Sequence, residues 1–340
     1  MLAPKFVRAF ASAAKPKILV TRQIPAPAMK MLTDAPVELI HWNYPDKAMP
    51  RDKLLEAVKG CDGCLCLLTE KINAEFFDAA GPQLKTVASM SVGYDHFDIP
   101  ECKKRGILAG HTPGVLHHTV AELTVALLLA TTRRLSPAID SVRNNGWGTW
   151  EPLGYCGTDI WGKTLGICGM GEIGLEVVKR MRGFGCHIIY SDVRRKPDWE
   201  NEYGIEYVSM EDLLARSDFI SIHTSLNEHT RKMFNMDKFK QMKKEAILIN
   251  TSRGPVVNQE DLTKALQEGI IGGAGLDVTD PEPMKGDNPL LKMPNVVVLP
   301  HIASASVATR TRMAEMAAEF VLKGVLGGDI NPRWIVPGTQ

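Results

Sequence analysis

The stretch LGICGMGEIG, residues 165–174, decides the fold of this 340-residue chain. It contains a GxGxxG pattern that directly follows an apolar, strand-like run. The pattern directly precedes residues 175–181, in which apolar residues recur at the spacing of a helix. Glycines at those spacings let the chain turn tightly and let its backbone approach a pyrophosphate, whose charge is stabilised at the helix N-terminus. The stretch therefore predicts a dinucleotide-binding βαβ unit, in which the cofactor contacts are Gly169, Gly171, Glu172, Ile173 and Gly174.

Apolar runs alternate with segments of helical period on both sides of this loop, which is typical of parallel sheets covered by helices. Before it, the pattern predicts strands over residues 17–20, 37–42, 63–68 and 84–88, and helices over 26–32, 51–59 and 74–80. From the loop region onward it predicts strands over residues 164–168, 186–190, 219–222, 246–250, 271–277 and 296–299. The chain is therefore predicted to be an α/β protein with two Rossmann-like, doubly wound parallel-sheet domains.

The composition is that of a globular protein, with 44% hydrophobic and 23% charged residues over a length suited to two domains. Lys and Arg number 40 against 39 Asp and Glu, which gives a net charge of +1 without any block of like charges. Nucleic acid is therefore not an expected partner. No apolar stretch approaches the roughly 20 residues that span a bilayer, so no membrane association is expected.

The seven cysteines are an odd number in a long chain, which favours a reducing compartment over a disulfide framework. Cys61, Cys64 and Cys66 are spaced closely enough to suggest zinc, but no second cysteine pair or histidine pair follows at the spacing of a zinc finger. Small core residues of a strand are the favoured interpretation, and no metal site is predicted.

The N-terminal leader, residues 1–16, differs from the rest of the chain because it carries Lys5, Arg8 and Lys15 and no acidic residue. This composition resembles a mitochondrial transit peptide. A disordered basic leader on a cytosolic enzyme explains it equally well. The expected location is therefore the cytoplasm or the mitochondrial matrix.

The predicted strand over residues 186–190 ends at Asp192, where an acid can accept hydrogen bonds from the adenosine ribose of NAD. Arg194, Arg195 and Lys196 follow immediately, and such a basic cluster can instead hold the 2′-phosphate of NADP. The residues thus indicate NAD(H) or NADP(H) and leave the choice between them open.

A helix over residues 119–135 is predicted to be apolar around most of its circumference, and a second helix follows over 137–145. Such a helix must be covered, either inside the nucleotide domain or by a second subunit. The aromatic segment Trp147-Gly148-Thr149-Trp150 favours a contact over a free linker. A homodimer formed through residues 119–150 is the preferred expectation.

Polar residues follow three of the downstream predicted strands. Polar side chains would be unfavourable there if these loops were simply buried. Because ligands bind beyond the carboxyl ends of parallel strands, Arg253, Asp277, Glu282 and His301 are expected to converge on one crevice with the phosphate loop. Each of them alone also fits an ordinary structural role. It is their combination that favours a catalytic site.

The order of these motifs resembles the D-isomer-specific 2-hydroxyacid dehydrogenases over residues 17 to about 332. The resemblance rests on GxGxxG, on Asn-x-x-Arg-Gly at residues 250–254, on Gly-Leu-Asp-Val at 275–278 and on Pro-His-Ile-x-Ser-Ala at 300–305. The run MSVGYDH at residues 90–96 is most similar to the glyoxylate reductase/hydroxypyruvate reductase branch of that family.

This resemblance implies an enzyme that reduces small 2-oxoacids, glyoxylate to glycolate and hydroxypyruvate to D-glycerate, with NADH or NADPH. It also implies a discontinuous substrate-binding domain over residues 17–118 and 302–332, a Rossmann domain over 119–301, and an active site in the cleft between them. Arg253 would bind the substrate carboxylate and carbonyl, His301 would act as general acid, and Glu282 would orient the imidazole. Further contacts implied by the family are Val92, Gly93 and Ser304 for the substrate, and Ser225, Thr251, Asp277 and Ala303 for the cofactor.

Two alternatives remain at this point. A 3-phosphoglycerate-type acid or formate would keep the fold, but Glu282 paired with His301 disfavours formate, and the region of Val92 offers few cations for a phosphate. A NAD-sensing scaffold similar to the corepressors of this family would keep the same three catalytic residues. Ala303, where the family commonly has glycine, is a tolerated departure.

Overall fold

The computed structural model describes residues 15–340, so the leader predicted over residues 1–16 lies outside the described residues except for its last two positions. The chain forms two compact units. Of the described residues, the first takes in 15–113 together with Arg310–Gln340, and the second is Gly114–Thr309. The second unit thus continues past residue 301, and Oγ1 of Thr309 lies 2.6 Å from Oγ1 of Thr119 within it.

The first unit is an α/β unit around a five-stranded parallel sheet of order β2-β1-β3-β4-β5. Its strands are β1 Lys17–Val20, β2 Glu38–His41, β3 Gly63–Cys66, β4 Thr86–Ser89 and β5 Leu108–Gly110, and its helices are α1 Ala26–Asp34, α2 Arg51–Ala57, α3 Ala74–Ala80 and α4 Ile99–Arg105. Strand β5 is short and was not among the predicted strands. The predicted strand over residues 63–68 ends at Cys66, because the N–H of Leu67 turns away to donate to the Glu70 carboxylate at 2.6 Å.

The second unit holds a seven-stranded parallel sheet of order β12-β11-β10-β9-β6-β7-β8. Its strands are β6 Thr164–Cys168, β7 His187–Ser191, β8 Glu206–Tyr207, β9 Phe219–Ile222, β10 Ile247–Asn250, β11 Gly273–Leu276 and β12 Val296–Val298. Its helices are α5 His117–Thr132, α6 Leu135–Arg143, α7 Glu172–Met181, α8 Pro197–Tyr203, α9 Met210–Arg216, α10 Met236–Phe239 and α11 Gln259–Gln267. The C-terminal helix α12 is Val307–Leu326, and from Arg310 onward it belongs to the first unit. Two parallel α/β sheets confirm the predicted fold class.

The apolar helix α5 is covered within its own unit. Leu127 and Leu128 are buried in one cluster with Ile167 of β6 and Ile249 of β10. Gly275 of β11 permits this approach, because a Cβ there would lie 2.7 Å from Oγ1 of Thr131. The exposed apolar surface that the sequence assigned to residues 119–150 therefore begins after α5.

The cysteines of the first unit belong to its core. Cys61, Cys64 and Cys66 are fully buried among apolar side chains, and burial raises the pKa of the Cys64 and Cys66 thiols. Residues 15–340 contain no group of three or more His, Cys, Asp or Glu side chains arranged to hold a metal ion. Over the same residues, none of the helices combines the length and apolarity needed to cross a membrane.

Candidate active site

The loops at one edge of the second sheet carry all of the predicted site residues except Val92 and Gly93. Because all seven strands are parallel, the loops after β6, β7, β9, β10, β11 and β12 leave from the same edge. The phosphate loop follows β6, Arg253 follows β10, Glu282 follows β11 and His301 follows β12. Strands β10, β11 and β12 are adjacent, so the three proposed catalytic residues follow neighbouring strands.

The three glycines of the phosphate loop differ in what a Cβ would meet at each position. Gly169 has φ +95°, and a Cβ there would lie 2.8 Å from the backbone of His223. A Cβ at Gly174 would lie 2.5 Å from the carbonyl oxygen of Gly169. A Cβ at Gly171, which precedes the first turn of α7, would enter open space. Two glycines are thus required by the turn, and the third leaves an uncovered helix N-terminus that a pyrophosphate can approach.

Asp192 fastens the end of β7 to this loop. Its Oδ2 accepts a hydrogen bond from the N–H of Met170 at 2.6 Å, and its Oδ1 accepts one from the N–H of Arg194 at 2.8 Å. The guanidinium of Arg195 forms an ion pair with the Glu200 carboxylate at 2.7 Å. Of the two arginines predicted to contact the cofactor, Arg195 is therefore engaged by the protein itself.

Thr224 is a candidate cofactor contact that the sequence reasoning missed. Its Oγ1 is buried without a hydrogen-bond partner among the described residues. Its backbone nitrogen lies 2.9 Å from the position of a Cβ on Gly169, so the orphaned hydroxyl belongs to a residue directly beside the phosphate loop. Thr224 follows β9, and the strand-end rule that selected the other site residues would have found it. Its exposed neighbour Ser225 was selected instead, and the Ser225 carbonyl accepts a hydrogen bond from Thr230 at 2.6 Å.

His301 and Glu282 form the closest contact among the predicted catalytic residues. Nδ1 of His301 lies 2.6 Å from Oε1 of Glu282, and both side chains are partly exposed. A carboxylate only accepts hydrogen bonds, so this contact places a proton on Nδ1 and leaves Nε2 for another partner.

The backbone around His301 is fixed by Asp277. His301 adopts φ +55°, a left-handed conformation that is unusual for a side chain with a Cβ. The N–H groups of Ile302 and Ala303 each donate to the Asp277 carboxylate at 2.8 Å, and the N–H of His301 donates to the Asp277 carbonyl at 2.9 Å. Burial raises the pKa of Asp277, although these hydrogen bonds oppose the shift. The immediate partner of this predicted cofactor residue is thus the segment that carries His301, with Ser304 one residue beyond it.

Arg253 lies in a tightly packed turn after β10. Its carbonyl accepts a hydrogen bond from Nδ2 of Asn250 at 2.9 Å, and Gly254 packs so closely on the Thr279 carbonyl that a Cβ would overlap it. This contact brings the Arg253 turn against the loop that leads to Glu282. Thr251, predicted to line the cofactor, is buried with its Oγ1 2.8 Å from Oγ1 of Thr124.

Val92 and Gly93 lie in the first unit, in the turn after β4. Neither N–H has a hydrogen-bond acceptor among the described residues. Two successive partly exposed amides of this kind are suited to binding an anion.

The glycine geometry, the orphaned Thr224 hydroxyl and the open start of α7 all fit a bound dinucleotide. The family model described as D-isomer specific 2-hydroxyacid dehydrogenase, NAD binding domain, matches residues 125–303. The chain is 48% identical over 323 residues to a glyoxylate reductase of Korarchaeum cryptofilum, covering 94% of this chain and 96% of the relative. It is 45% identical over 313 residues to the human glyoxylate reductase/hydroxypyruvate reductase, covering 92% of this chain and 95% of that protein.

A solved structure gives the same result at the level of the fold. The NADPH-dependent glyoxylate/hydroxypyruvate reductase of Sinorhizobium meliloti, crystallised with NADP and malonate, is similar with a TM-score of 0.80 and 30% identity. The match covers 96% of this chain and 98% of that structure. By motif, geometry and similarity, the chain is an oxidoreductase of the D-isomer specific 2-hydroxyacid dehydrogenase family, and its second unit is the family's NAD-binding domain.

Proposed function

We propose that this enzyme reduces glyoxylate and hydroxypyruvate to the corresponding 2-hydroxy acids with a reduced nicotinamide cofactor. The observation that carries the proposal is the His301–Glu282 contact at 2.6 Å, at the same edge of the sheet as a GxGxxG loop shaped for a dinucleotide. Relatives named for this activity support it at 45–48% identity over nearly the whole chain.

His301 is the proton donor in this proposal. As the carbonyl carbon is reduced, its oxygen gains negative charge, and a proton from Nε2 of His301 completes the hydroxyl group. Glu282 holds Nδ1, which fixes the ring orientation and stabilises the imidazolium from which the proton comes. In the oxidative direction, the same Nε2 takes the proton back.

Arg253 recognises the 2-oxoacid. A planar guanidinium binds two oxygens side by side, so it suits a carboxylate with an adjacent carbonyl. The family resemblance assigns the N–H groups of Val92 and Gly93 to the carboxylate as well, and neither has a hydrogen-bond acceptor among the described residues. In this proposal every group that contacts the substrate carboxylate is a hydrogen-bond donor, and His301 is the acid that contacts the reacting oxygen.

The nicotinamide cofactor supplies the hydride when it is bound. Gly169, Gly171 and Gly174 shape the pyrophosphate site, with Thr224 beside it. We expect NADH to be preferred over NADPH. The Asp192 carboxylate is anchored beside the phosphate loop, where it repels a 2′-phosphate, and Arg195 is already paired with Glu200.

A spectrophotometric assay at 340 nm tests the proposal. Purified protein is offered glyoxylate, hydroxypyruvate and 3-phosphohydroxypyruvate, each with NADH and with NADPH. Rapid cofactor oxidation with the first two acids is the expected result. Preference for the phosphorylated acid would contradict the substrate assignment, and NADH binding without turnover of any acid would favour a NAD-sensing scaffold.

We also propose that the enzyme is a homodimer formed through α6 and the segment that follows it. Helix α6 has no buried residue, and its apolar side chains Leu135, Ile139 and Val142 lie on one face. Beyond it, Trp150 is 82% exposed and Leu153 is 88% exposed. A second copy of the same surface would cover these side chains. Sedimentation at micromolar concentration is expected to give a dimer, and a monomer for Trp150→Glu; a monomeric wild type would refute the assignment.

The compartment is a further proposal, based on sequence alone. Residues 1–16 suit either mitochondrial import or a cytoplasmic protein with a basic leader. A fusion of residues 1–20 to a fluorescent protein separates the two, since import would place the signal in mitochondria and its absence would leave a diffuse signal.

A further inference from the structure

In the turn after β4, the carbonyl oxygens of Ser91, Val92 and Gly93 each have a hydrogen-bond partner within the protein. The Ser91 carbonyl accepts from the N–H of Thr112 at 2.8 Å, and Nδ1 of His111 lies 2.9 Å from the Val92 carbonyl. The Gly93 carbonyl accepts from Oγ of Ser91 at 2.7 Å. Three successive peptide oxygens are thus fixed by partners within the first unit.

Fixing these oxygens also fixes the N–H groups that the proposed function assigns to the substrate carboxylate. In a trans peptide the N–H of one residue points opposite to the carbonyl of the residue before it. The Thr112 contact therefore sets the direction of the Val92 N–H, and the His111 contact sets the direction of the Gly93 N–H. The direction of each N–H group that would donate to the substrate carboxylate therefore depends on the contact made by the carbonyl of the same peptide bond.

The serines form a hydrogen-bond chain with a single direction. Ser91 has one hydroxyl hydrogen, and it is spent on the Gly93 carbonyl. At the 2.7 Å contact between the two hydroxyls, Ser89 must therefore be the donor. Ser89 has then spent its own hydrogen, so Nε2 of His96 must donate across the 2.9 Å contact to it. The Gly93 carbonyl is thus held by a complete chain of donors, and the Val92 carbonyl depends on one ring nitrogen.

That ring nitrogen belongs to His111, whose imidazole ring lies near two carbonyl acceptors but carries one hydrogen on its nitrogens. The second polar contact of His111 is with the backbone of Arg333, whose N–H already donates to Oδ1 of Asn331 at 3.0 Å, so the remaining acceptor is the Arg333 carbonyl. Burial lowers the pKa of His111, although the two backbone contacts oppose the shift, and this direction favours the neutral ring with a single hydrogen. The Tyr94 ring packs edge-on against it with the ring centroids 5.4 Å apart.

We infer that His111 is a positioning residue for substrate binding: its Nδ1 proton holds the Val92–Gly93 peptide so that the Gly93 N–H faces the substrate carboxylate. The inference rests on the proposed function for the identity of that carboxylate. The structural alternative is that His111 only holds the C-terminal segment, through the Arg333 carbonyl and through its own N–H, which donates to the Trp334 carbonyl at 2.9 Å.

Two amide substitutions separate these roles. His111→Asn keeps a donor at the position of Nδ1, whereas His111→Gln moves the donor to the position of Nε2, toward Arg333. His111→Phe removes both while keeping the ring contact with Tyr94. His41→Phe is the matched control, because His41 lies in the same unit and its Nε2 contacts the Arg22 carbonyl at 3.2 Å.

The expected result is a change in the KM for the substrate without a change in kcat or in the KM for the cofactor. We expect His111→Gln and His111→Phe to raise the KM for glyoxylate about tenfold with kcat and the KM for NADH nearly unchanged, because a carboxylate contact binds ground state and transition state alike. His111→Asn and His41→Phe should stay within about twofold of wild type. The inference is overturned if His111→Gln matches wild type, or if His111→Asn is as impaired as His111→Phe.

A binding measurement keeps the inference testable without turnover. In a titration with oxamate, the backbone N–H signal of Gly93 should shift in the wild-type protein, and His111→Phe should raise the oxamate Kd about tenfold. Wild-type protein that binds oxamate at Gly93 but reduces neither 2-oxoacid would contradict the proposed function and leave the His111 role standing. Equal oxamate affinity in wild type and His111→Phe would overturn the His111 role, whatever the activity.

Discussion

Nδ1 of His301 lies 2.6 Å from Oε1 of Glu282, across two loops that follow the neighbouring strands β12 and β11. The two residues are 19 positions apart in sequence and meet because adjacent parallel strands end at one edge of the sheet. The pair gives the imidazole one fixed hydrogen-bond partner, and the proposed function assigns the proton transfer to Nε2.

His301→Asn should lower kcat by about 10²- to 10⁴-fold, which is the usual contribution of a general acid. Glu282→Gln should lower kcat less, because the amide oxygen still accepts from Nδ1 but no longer offsets the charge of an imidazolium. Steady-state kinetics with glyoxylate and NADH measure both. His229→Asn, in the exposed pair of His229 and Glu228 at 3.7 Å, is the control and should be silent. Near wild-type kcat in His301→Asn would rule out the acid assigned here.

Arg253→Lys should raise the KM for the 2-oxoacid at least tenfold and leave the KM for NADH unchanged. The reason is geometric, since an ammonium keeps the charge but cannot bind two oxygens side by side. The exposed Arg231→Lys serves as the control. An unchanged substrate KM would show that Arg253 does not bind the carboxylate.

Asp277→Asn should loosen the segment that carries His301. The carboxylate accepts two N–H bonds, whereas an asparagine offers one oxygen and turns an NH₂ group toward the other donor. We expect a loss of about 1–3 kcal/mol in the free energy of unfolding together with a lower kcat. Denaturant unfolding and kinetics check this against Asp280→Asn, an exposed position on the same loop. Full stability and full activity would contradict the role.

Asp192→Ser should increase kcat/KM with NADPH relative to NADH. The substitution removes a negative charge next to the phosphate loop and leaves Arg194 to meet a 2′-phosphate. Arg195→Met should leave the cofactor ratio unchanged, because that guanidinium is committed to Glu200. The ratio of the two initial rates is the measurement, and a wild-type preference for NADPH would refute the role given to Asp192.

Glu176 should make the second unit sensitive to acid. Burial by itself would raise the pKa of this carboxyl, but hydrogen bonds from Lys179, Arg180 and His118 outweigh it and lower the pKa to about 2. A depressed pKa means that the stabilisation is present above the ordinary value of 4.5 and is lost as the pH falls toward 2.

Unfolding of wild type and Glu176→Gln at pH 7, 4.5 and 3 measures this effect. The variant should be less stable by about 2–3 kcal/mol at pH 7, and the difference should shrink as the pH falls. Glu122→Gln removes the exposed partner of the same Arg180 and should cost less than about 1 kcal/mol. A difference between wild type and Glu176→Gln that stays constant with pH would contradict the assignment.

The sequence by itself determined the fold class, the position of the GxGxxG loop and the short list of candidate catalytic residues. It could do so because each signal is local. Glycines at fixed spacing between a strand and a helix indicate a tight turn, and several polar residues that follow parallel strands together favour a ligand site. The family resemblance of the ordered motifs then gave Arg253, Glu282 and His301 their proposed roles.

Only the tertiary structure decided which groups are engaged and which are free. It showed that Arg195 pairs with Glu200, that the Asp277 carboxylate holds the segment around His301, and that α5 is covered by its own sheet. It also showed that the Thr224 hydroxyl is buried without a hydrogen-bond partner among the described residues and that Nδ1 of His111 lies 2.9 Å from the Val92 carbonyl. Hydrogen-bond partners are set by how strands and loops pack, and a linear pattern carries the residue types but not their pairing.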